Sequence, residues 1–156
     1  MPDSPAPAAP TPSAGSSFVS EVRKLRRVLQ GVDFFNRLKL EELELLVEHL
    51  QKKSVGRGAI LITQGDPNAD AFYMVASGRC TAWVKKGGQM VKASDLGADH
   101  YFGERALVTE EPRAATVRAE TACELYVLYK TDFNNILMKN PGIAQEIKFH
   151  IAQYKR

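Results

Sequence analysis

The sequence predicts an α+β fold: an antiparallel β-roll, jelly-roll-like in outline, with helices before and after it. Three observations carry this reading. Between Ser54 and Tyr129, short apolar runs are separated by turn residues at close, regular intervals, which suits many short antiparallel strands. Before Ser54 and after Tyr129 the apolar residues take up the period of an amphipathic helix instead. A length of 156 residues accommodates one domain with a modest extension, and 44% apolar with 25% charged residues is ordinary for a globular chain.

Residues 1–17 are almost entirely Pro, Ala, Ser, Thr and Gly. They bury too little to offset the entropy of ordering, so a disordered tail is expected there. The domain is expected over 18–156, with N-terminal helices over 18–53, the roll over 54–129 and C-terminal helices over 130–156. Phe18, Val22, Leu25, Leu29 and Val32 form one helical stripe, with Arg23, Lys24, Arg26 and Arg27 on a face read as solvated. Gly31 and Asp33 break that helix. Phe34 to Leu38 leads into a second helix, with Leu43, Leu46, Val47 and Leu50 on one side and Glu41, Glu42, Glu44 and Glu48 on the other.

Within the roll, strands are expected at Ala59–Thr63, Phe72–Ala76, Cys80–Val84, Gln89–Ala93, Thr116–Ala119 and Cys123–Tyr129. They are punctuated by Gln64-Gly65-Asp66-Pro67-Asn68, Ser77-Gly78 and Lys86-Gly87-Gly88. Trp83 is read as an outward-facing residue beneath a helix. Beyond the roll, Thr131 is the expected N-cap of a helix over Asp132–Lys139 with Phe133, Ile136 and Leu137 facing inward. Asn140-Pro141 restarts a helix at proline's preferred first position, with Ile143, Ile147, Ile151 and Tyr154 sharing a face.

Several function classes find no support. A net charge of +3 is too small to argue for nucleic acid. No apolar run is long enough to span a membrane and no signal peptide pattern opens the chain, so a cytoplasmic protein is expected. Cys80 and Cys123 have no Cys-x-x-Cys spacing and are read as reduced, packed thiols. His49, His100 and His150 form no His-x-His or His-x-x-x-His pair, so no metal site is expected. No Ser/His/Asp or Cys/His set is grouped, and the chain is not expected to be an enzyme.

One stretch carries chemistry that packing alone does not explain: Tyr101-Phe-Gly-Glu-Arg-Ala-Leu-Val-Thr-Glu-Glu-Pro-Arg-Ala-Ala-Thr-Val117. Gly103-Glu104-Arg105-Ala106-Leu107 would start a short helix, where unpaired backbone N–H groups favour an anion. Arg113 can fork onto a phosphate, and the small Ala114 and Ala115 let backbone amides approach it. A carboxylate repels a phosphate, so Glu104 must be aimed elsewhere, and a sugar hydroxyl is its natural target. Together they describe a small phosphorylated sugar or nucleotide.

The pattern Phe-Gly-Glu-x-Ala-Leu…Pro-Arg-Ala-Ala-Thr-Val resembles the phosphate-binding cassette of cyclic nucleotide-binding domains, above all those of eukaryotic cyclic nucleotide-dependent protein kinases. Weaker agreement extends over roughly residues 34–150. The resemblance implies an N-terminal helical bundle, a β-roll and C-terminal helices that swing across its mouth as hinge and lid. It assigns Arg113 to the cyclic phosphate and Glu104 to the ribose 2′-hydroxyl. Amides around Ala106 and Ala115 would complete the cradle, Gly103 would permit the close turn, and Asp70 would hold the arginine in place. Leu107 would move with the cassette and reset the C-terminal helices. Phe149 or Tyr154 would cap the base.

Threonine after the cassette arginine often marks cyclic GMP-selective kinase sites, and here that position is Ala114, so cyclic AMP is the expected ligand. Arg105 keeps cyclic GMP open, because Phe-Gly-Glu-Arg-Ala-Leu resembles some cyclic GMP-dependent kinases. The expected partners are the cyclic nucleotide and a kinase or other effector in cis or in trans, with no further cofactor. A degenerate scaffold module is the other reading. A bacterial-type transcription factor is disfavoured because only 27 residues follow Tyr129, too few for two helices plus a helix-turn-helix.

Overall fold

A computed structural model describes the backbone over residues 11–32 and 35–154, and the side chains over 21–32 and 35–149. Helix α1 (Thr11–Gln30) and helix α2 (Leu40–Glu48) come first. Strands β1 (Gln51–Val55), β2 (Ile60–Ile62), β3 (Ala71–Ser77), β4 (Cys80–Lys86), β5 (Gln89–Leu96), β6 (Tyr101–Phe102), β7 (Thr116–Ala119) and β8 (Cys123–Tyr129) follow. A 3-10 turn at Glu104–Leu107 lies between β6 and β7, and helices α3 (Lys130–Lys139) and α4 (Pro141–Tyr154) close the chain. This is the α+β arrangement that the sequence predicts.

The strands form two four-stranded antiparallel sheets, ordered β1-β8-β3-β6 and β2-β7-β4-β5. Alternation along β3 and β8 assigns the two faces of the first sheet. Ala71, Tyr73, Val75, Leu125 and Val127 turn inward, where they meet Cys80, Ala82, Val117 and Ala119 of the second sheet. Phe72, Met74, Tyr126 and Leu128 turn outward into a second apolar cluster with Leu25, Leu29, Phe35, Leu43, Phe133, Ile143 and Ile147 of the helical layer. Because both faces of β3 are covered, Ala71–Val75 is buried without interruption.

The helices are tied to the roll by polar contacts as well. The Tyr126 hydroxyl donates to Glu21, Lys24 pairs with Asp99 at 3.3 Å and Arg26 with Glu44 at 3.1 Å. Two of the four basic residues of α1 therefore have acidic partners, and the face is less purely solvated than expected.

Four local expectations are corrected. Helix α1 covers Thr11 onward, so part of the stretch read as a tail is helical; Pro12 is tolerated near a helix start, where its missing N–H costs no backbone hydrogen bond. The first ten residues of that tail, with Asp33 and Phe34, lie outside the described residues. Thr131 is not an N-cap: strand β8 runs directly into α3, Tyr129 takes the cap position, and the Lys130 N–H is satisfied by the Asp70 carbonyl at 2.8 Å. Among the described residues, Trp83 is covered by a side chain of its own sheet in place of the expected helix. Its indole N–H donates to the Thr81 hydroxyl at 2.8 Å, and the Arg118 guanidinium covers its ring at 5.5 Å, a cation–π contact within the outer face of the second sheet. The fourth is β1, whose Gln51, Lys52 and Lys53 are expected in the helical region and Ser54 and Val55 in the roll; all five pair with β8.

Candidate functional site

The stretch 101–117 runs from β6 through the 3-10 turn into β7. Tyr101–Phe102 adds a short edge strand to β3, and Gly103 then turns the chain at φ 79°, ψ 13° into the 3-10 turn. A side chain is excluded at Gly103 twice over. The left-handed conformation disfavours it, and a Cβ there would stand 2.8 Å from Arg113 Nη1 and 3.2 Å from the Ala71 carbonyl oxygen.

Arg113 is 8% exposed, one of very few buried polar side chains among the described residues. Its Nη2 donates to the Ala71 carbonyl at 2.9 Å and its Nη1 to the Gly103 carbonyl at 3.4 Å. Its own backbone is pinned on both sides: its N–H donates to the Asp66 carbonyl at 3.0 Å, and its carbonyl accepts from Gly65 N–H at 2.7 Å. Burial lowers the Arg113 pKa, while Tyr73, Asp70 and Asp66 act against that shift by their charge. Burial likewise raises the Tyr73 pKa, partly opposed by Arg113. Tyr73 therefore stays neutral at physiological pH, stacked on Phe102 with centroids 5.0 Å apart and an 11° interplanar angle.

A cavity of about 300 Å³ opens beside this arginine. One wall is the cassette, with Gly103, Glu104, Arg105, Ala106, Arg113, Ala114 and Ala115 all in the lining. The other wall is largely apolar and comes from the strands: Ile62, Ala82, Leu96 and Val117, with Ser94 among them. An apolar wall together with a carboxylate and a buried guanidinium is the layout of a small-molecule site that holds a flat apolar group and fixes a polar one. Glu104 is half-buried in this lining. At the rim, Arg105 Nη2 pairs with Glu111 Oε1 at 3.2 Å, and Thr109 and Glu111 extend the lining beyond the residues picked out from sequence.

Not every expected residue gathers here. Leu107 is 3% exposed and lies in the helical apolar cluster, outside the cavity lining. The turn thus has two sides, one in the cavity and one in the helical core. Asp70 makes no ion pair with Arg113. It is exposed and reaches the arginine only through its charge, and the two carbonyls do the orienting. The Ala106 N–H, expected in a phosphate cradle, donates here to the Gly103 carbonyl at 3.1 Å. Phe149 is 54% exposed and lies against Arg37, 6.0 Å from guanidinium to ring centroid, away from the cavity. The Tyr154 side chain lies outside the described residues.

The family follows from comparison. A family model described as a cyclic nucleotide-binding domain matches residues 52–140, more than half of the chain. The chain belongs to the cyclic nucleotide-binding domain family. The cyclic nucleotide-binding domain is 33% identical to a cAMP-dependent protein kinase regulatory subunit of Dictyostelium discoideum, over 96% of this chain and 49% of that protein. It is 31% identical to a cyclic nucleotide-gated potassium channel of Rhizobium etli, over 85% of this chain and 37% of the channel. Among solved structures it is similar to the regulatory domain of Toxoplasma gondii PKA with cAMP, at 32% identity and TM-score 0.66, covering 75% of this chain and 44% of that one. The N-terminal domain of a Streptomyces coelicolor transcriptional regulator superposes with TM-score 0.71 at 27% identity, covering 83% of this chain and 92% of that one. The chain spans less than half the length of the curated relatives it matches. None of the described helices is long and apolar enough to cross a membrane.

Proposed function

We propose that this domain binds cyclic AMP in preference to cyclic GMP and passes the binding event through its C-terminal helices to an effector, for which a protein kinase is the first candidate. The observation that carries this is the buried Arg113 guanidinium beside Glu104 on the cassette wall, with a largely apolar second wall suited to a purine. Arg113 takes the exocyclic phosphate oxygens, Glu104 the ribose 2′-hydroxyl, and Ile62, Ala82, Leu96 and Val117 the base. Relay to the helices follows from the two-sided turn. A ligand that draws on Gly103–Ala106 pulls on Leu107, and it shifts the helical layer by as much as it binds one arrangement better than the other. The likeness to kinase regulatory subunits supports the kinase as partner.

Titration calorimetry with cyclic AMP, cyclic GMP and adenosine tests the reading. Cyclic AMP is expected to bind most tightly and adenosine, lacking the phosphate, to bind more weakly than either. Equal binding of adenosine would remove Arg113 from the phosphate role, and tighter binding of cyclic GMP would transfer the site to the cyclic GMP-dependent class that Arg105 keeps open. Glu104→Ala is expected to cost about 1–3 kcal/mol of binding through the lost hydroxyl contact. Unchanged affinity would show that the carboxylate does not meet the ribose. Ala114→Thr places a hydroxyl in the cavity lining and is expected to move the cyclic GMP to cyclic AMP affinity ratio toward cyclic GMP, whereas an unaltered ratio would exclude position 114 from base choice.

A further inference from the structure

We propose that Cys80 and Cys123 are a redox pair that hydroperoxides convert into a disulfide joining the two sheets of the roll. Cys80 opens β4 in the second sheet and Cys123 opens β8 in the first, so the sequence separates them while the fold sets them face to face. Both are free thiols, 0% and 2% exposed, with their sulfurs 3.7 Å apart. A disulfide needs about 2.05 Å between sulfurs, so the pair closes with a modest approach of two strand ends. The site is built around the sulfurs. The Cys123 thiol donates to the carbonyls of Thr121 and Arg79 at 3.3 and 3.5 Å, and a side chain at Gly78 would begin 2.7 Å from its sulfur. Gly78, Arg79 and Thr121 belong to the turns that join β3 to β4 and β7 to β8, and Gly78 and Arg79 are exposed, which gives a molecule as small as hydrogen peroxide a short path to the sulfur.

The two cysteines take different roles. Burial, then the hydrogen bond with Cys123, push the Cys80 thiol up to about 12, so Cys80 is the poorer first nucleophile. Cys123, beside the turns, attacks the peroxide: a sulfur–oxygen bond forms, the oxygen–oxygen bond breaks, and one water leaves. The Cys80 sulfur then attacks the resulting sulfenic acid. The sulfur–sulfur bond forms, the sulfur–oxygen bond breaks, and the departing oxygen leaves as the second water with the Cys80 proton. Two thiols have lost two electrons to one peroxide. The cross-link fixes β8, which runs straight into α3, against β4, whose Ala82 lines the cavity.

The test is peptide mass mapping of the full chain after hydrogen peroxide treatment and alkylation, with and without reductant. The expected product is a reductant-sensitive link between the Cys80 and Cys123 peptides, two hydrogens lighter than their sum. The treated protein should also melt about 5–10 °C above the reduced one, since a cross-link over such a loop constrains the unfolded chain. In Cys80→Ala the link and the melting shift should vanish, and Cys123 should be trapped as sulfenic acid by a 1,3-diketone. In Cys123→Ala, Cys80 should remain an alkylatable thiol. Recovery of both cysteines as thiols after treatment, their separate conversion to sulfinic acids, or a link only between two chains would overturn the proposal.

Discussion

Arg113→Lys is expected to weaken cyclic nucleotide binding at least tenfold, a loss of about 1.4 kcal/mol or more, while leaving the fold in place. In the proposed reading Arg113 has two jobs that need separate donors. One edge of its guanidinium is spent on the carbonyls of Ala71 and Gly103, and this holds the group at the cavity wall. The donors left over are the ones a phosphate can use. A lysine ammonium is a compact charge with no planar fork. If it reaches the carbonyls it is drawn back from the cavity, and if it reaches the phosphate it leaves them without donors. Calorimetry with cyclic AMP measures the loss, and a thermal melt within a few degrees of the parent protein shows that the loss belongs to the site. An affinity within twofold of the parent would mean that charge alone, without the fork, holds the ligand.

Much of this site was legible because it is nearly continuous in sequence. Gly103–Ala106 and Arg113–Ala115 lie within one short window, and the spacing that brings them together is carried by one turn and one loop. The apolar wall was not legible. Ile62, Ala82, Ser94 and Leu96 come from three different strands, and only the register that sets Ser94 opposite Ala82 places them on one surface. Ala82 faces inward with Cys80, but nothing local in the sequence distinguishes a residue facing a cavity from one facing a packed core. Asp70 failed as a direct partner of Arg113 for a related reason: sequence proximity to β3 says nothing about carboxylate direction, and the backbone carbonyls that do the holding carry no sequence signature.

The strands read best where turns bracket them. β7 and β8 stand at the expected residues, since Ala114-Ala115, Glu120-Thr121 and the following helix delimit them. β1 is Gln-Lys-Lys-Ser-Val, largely exposed, with no alternation to read, and its strand identity comes from pairing with β8. β6 is two residues long and exists only as an edge partner of β3. Trp83 went astray because a large outward aromatic suggests a covering element, and here a side chain, Arg118, serves as that cover.

The 3-10 turn explains why a binding site and a helical layer share one segment. Ala106 is buried facing the cavity and Leu107, its neighbour, is buried in the helical cluster with Phe133 and Ile136. Two adjacent residues thus face the cavity on one side and the helical core on the other, and a rotation of the turn is felt in both. Interiors packed to crystal-like density do not absorb such a rotation smoothly, which favours two discrete arrangements over a continuum.

Gly103→Ala is expected to abolish measurable tight binding with a smaller effect on stability, and it separates the geometry of the turn from the chemistry of the arginine. The added methyl meets two costs. The φ of 79° is left-handed and costs a non-glycine residue about 1–2 kcal/mol. The new Cβ would also lie 2.8 Å from Arg113 Nη1, too close to coexist with it. The neighbour on that side is the end of a flexible side chain, so the chain still folds, but the guanidinium must leave the position in which it faces the cavity. Gly58→Ala is the matched control. Its φ is 89°, so it carries a similar conformational cost, yet nothing stands within 4 Å of its Cβ position. Both variants should melt a few degrees below the parent, as about 1–2 kcal/mol implies for a chain of this size. Only Gly103→Ala should lose binding by tenfold or more in calorimetry. Affinities equal to the parent's in both variants would show that Arg113 reaches the ligand from elsewhere in the cavity. A parallel loss in both would trace the defect to the strain of a left-handed alanine and acquit the arginine contact.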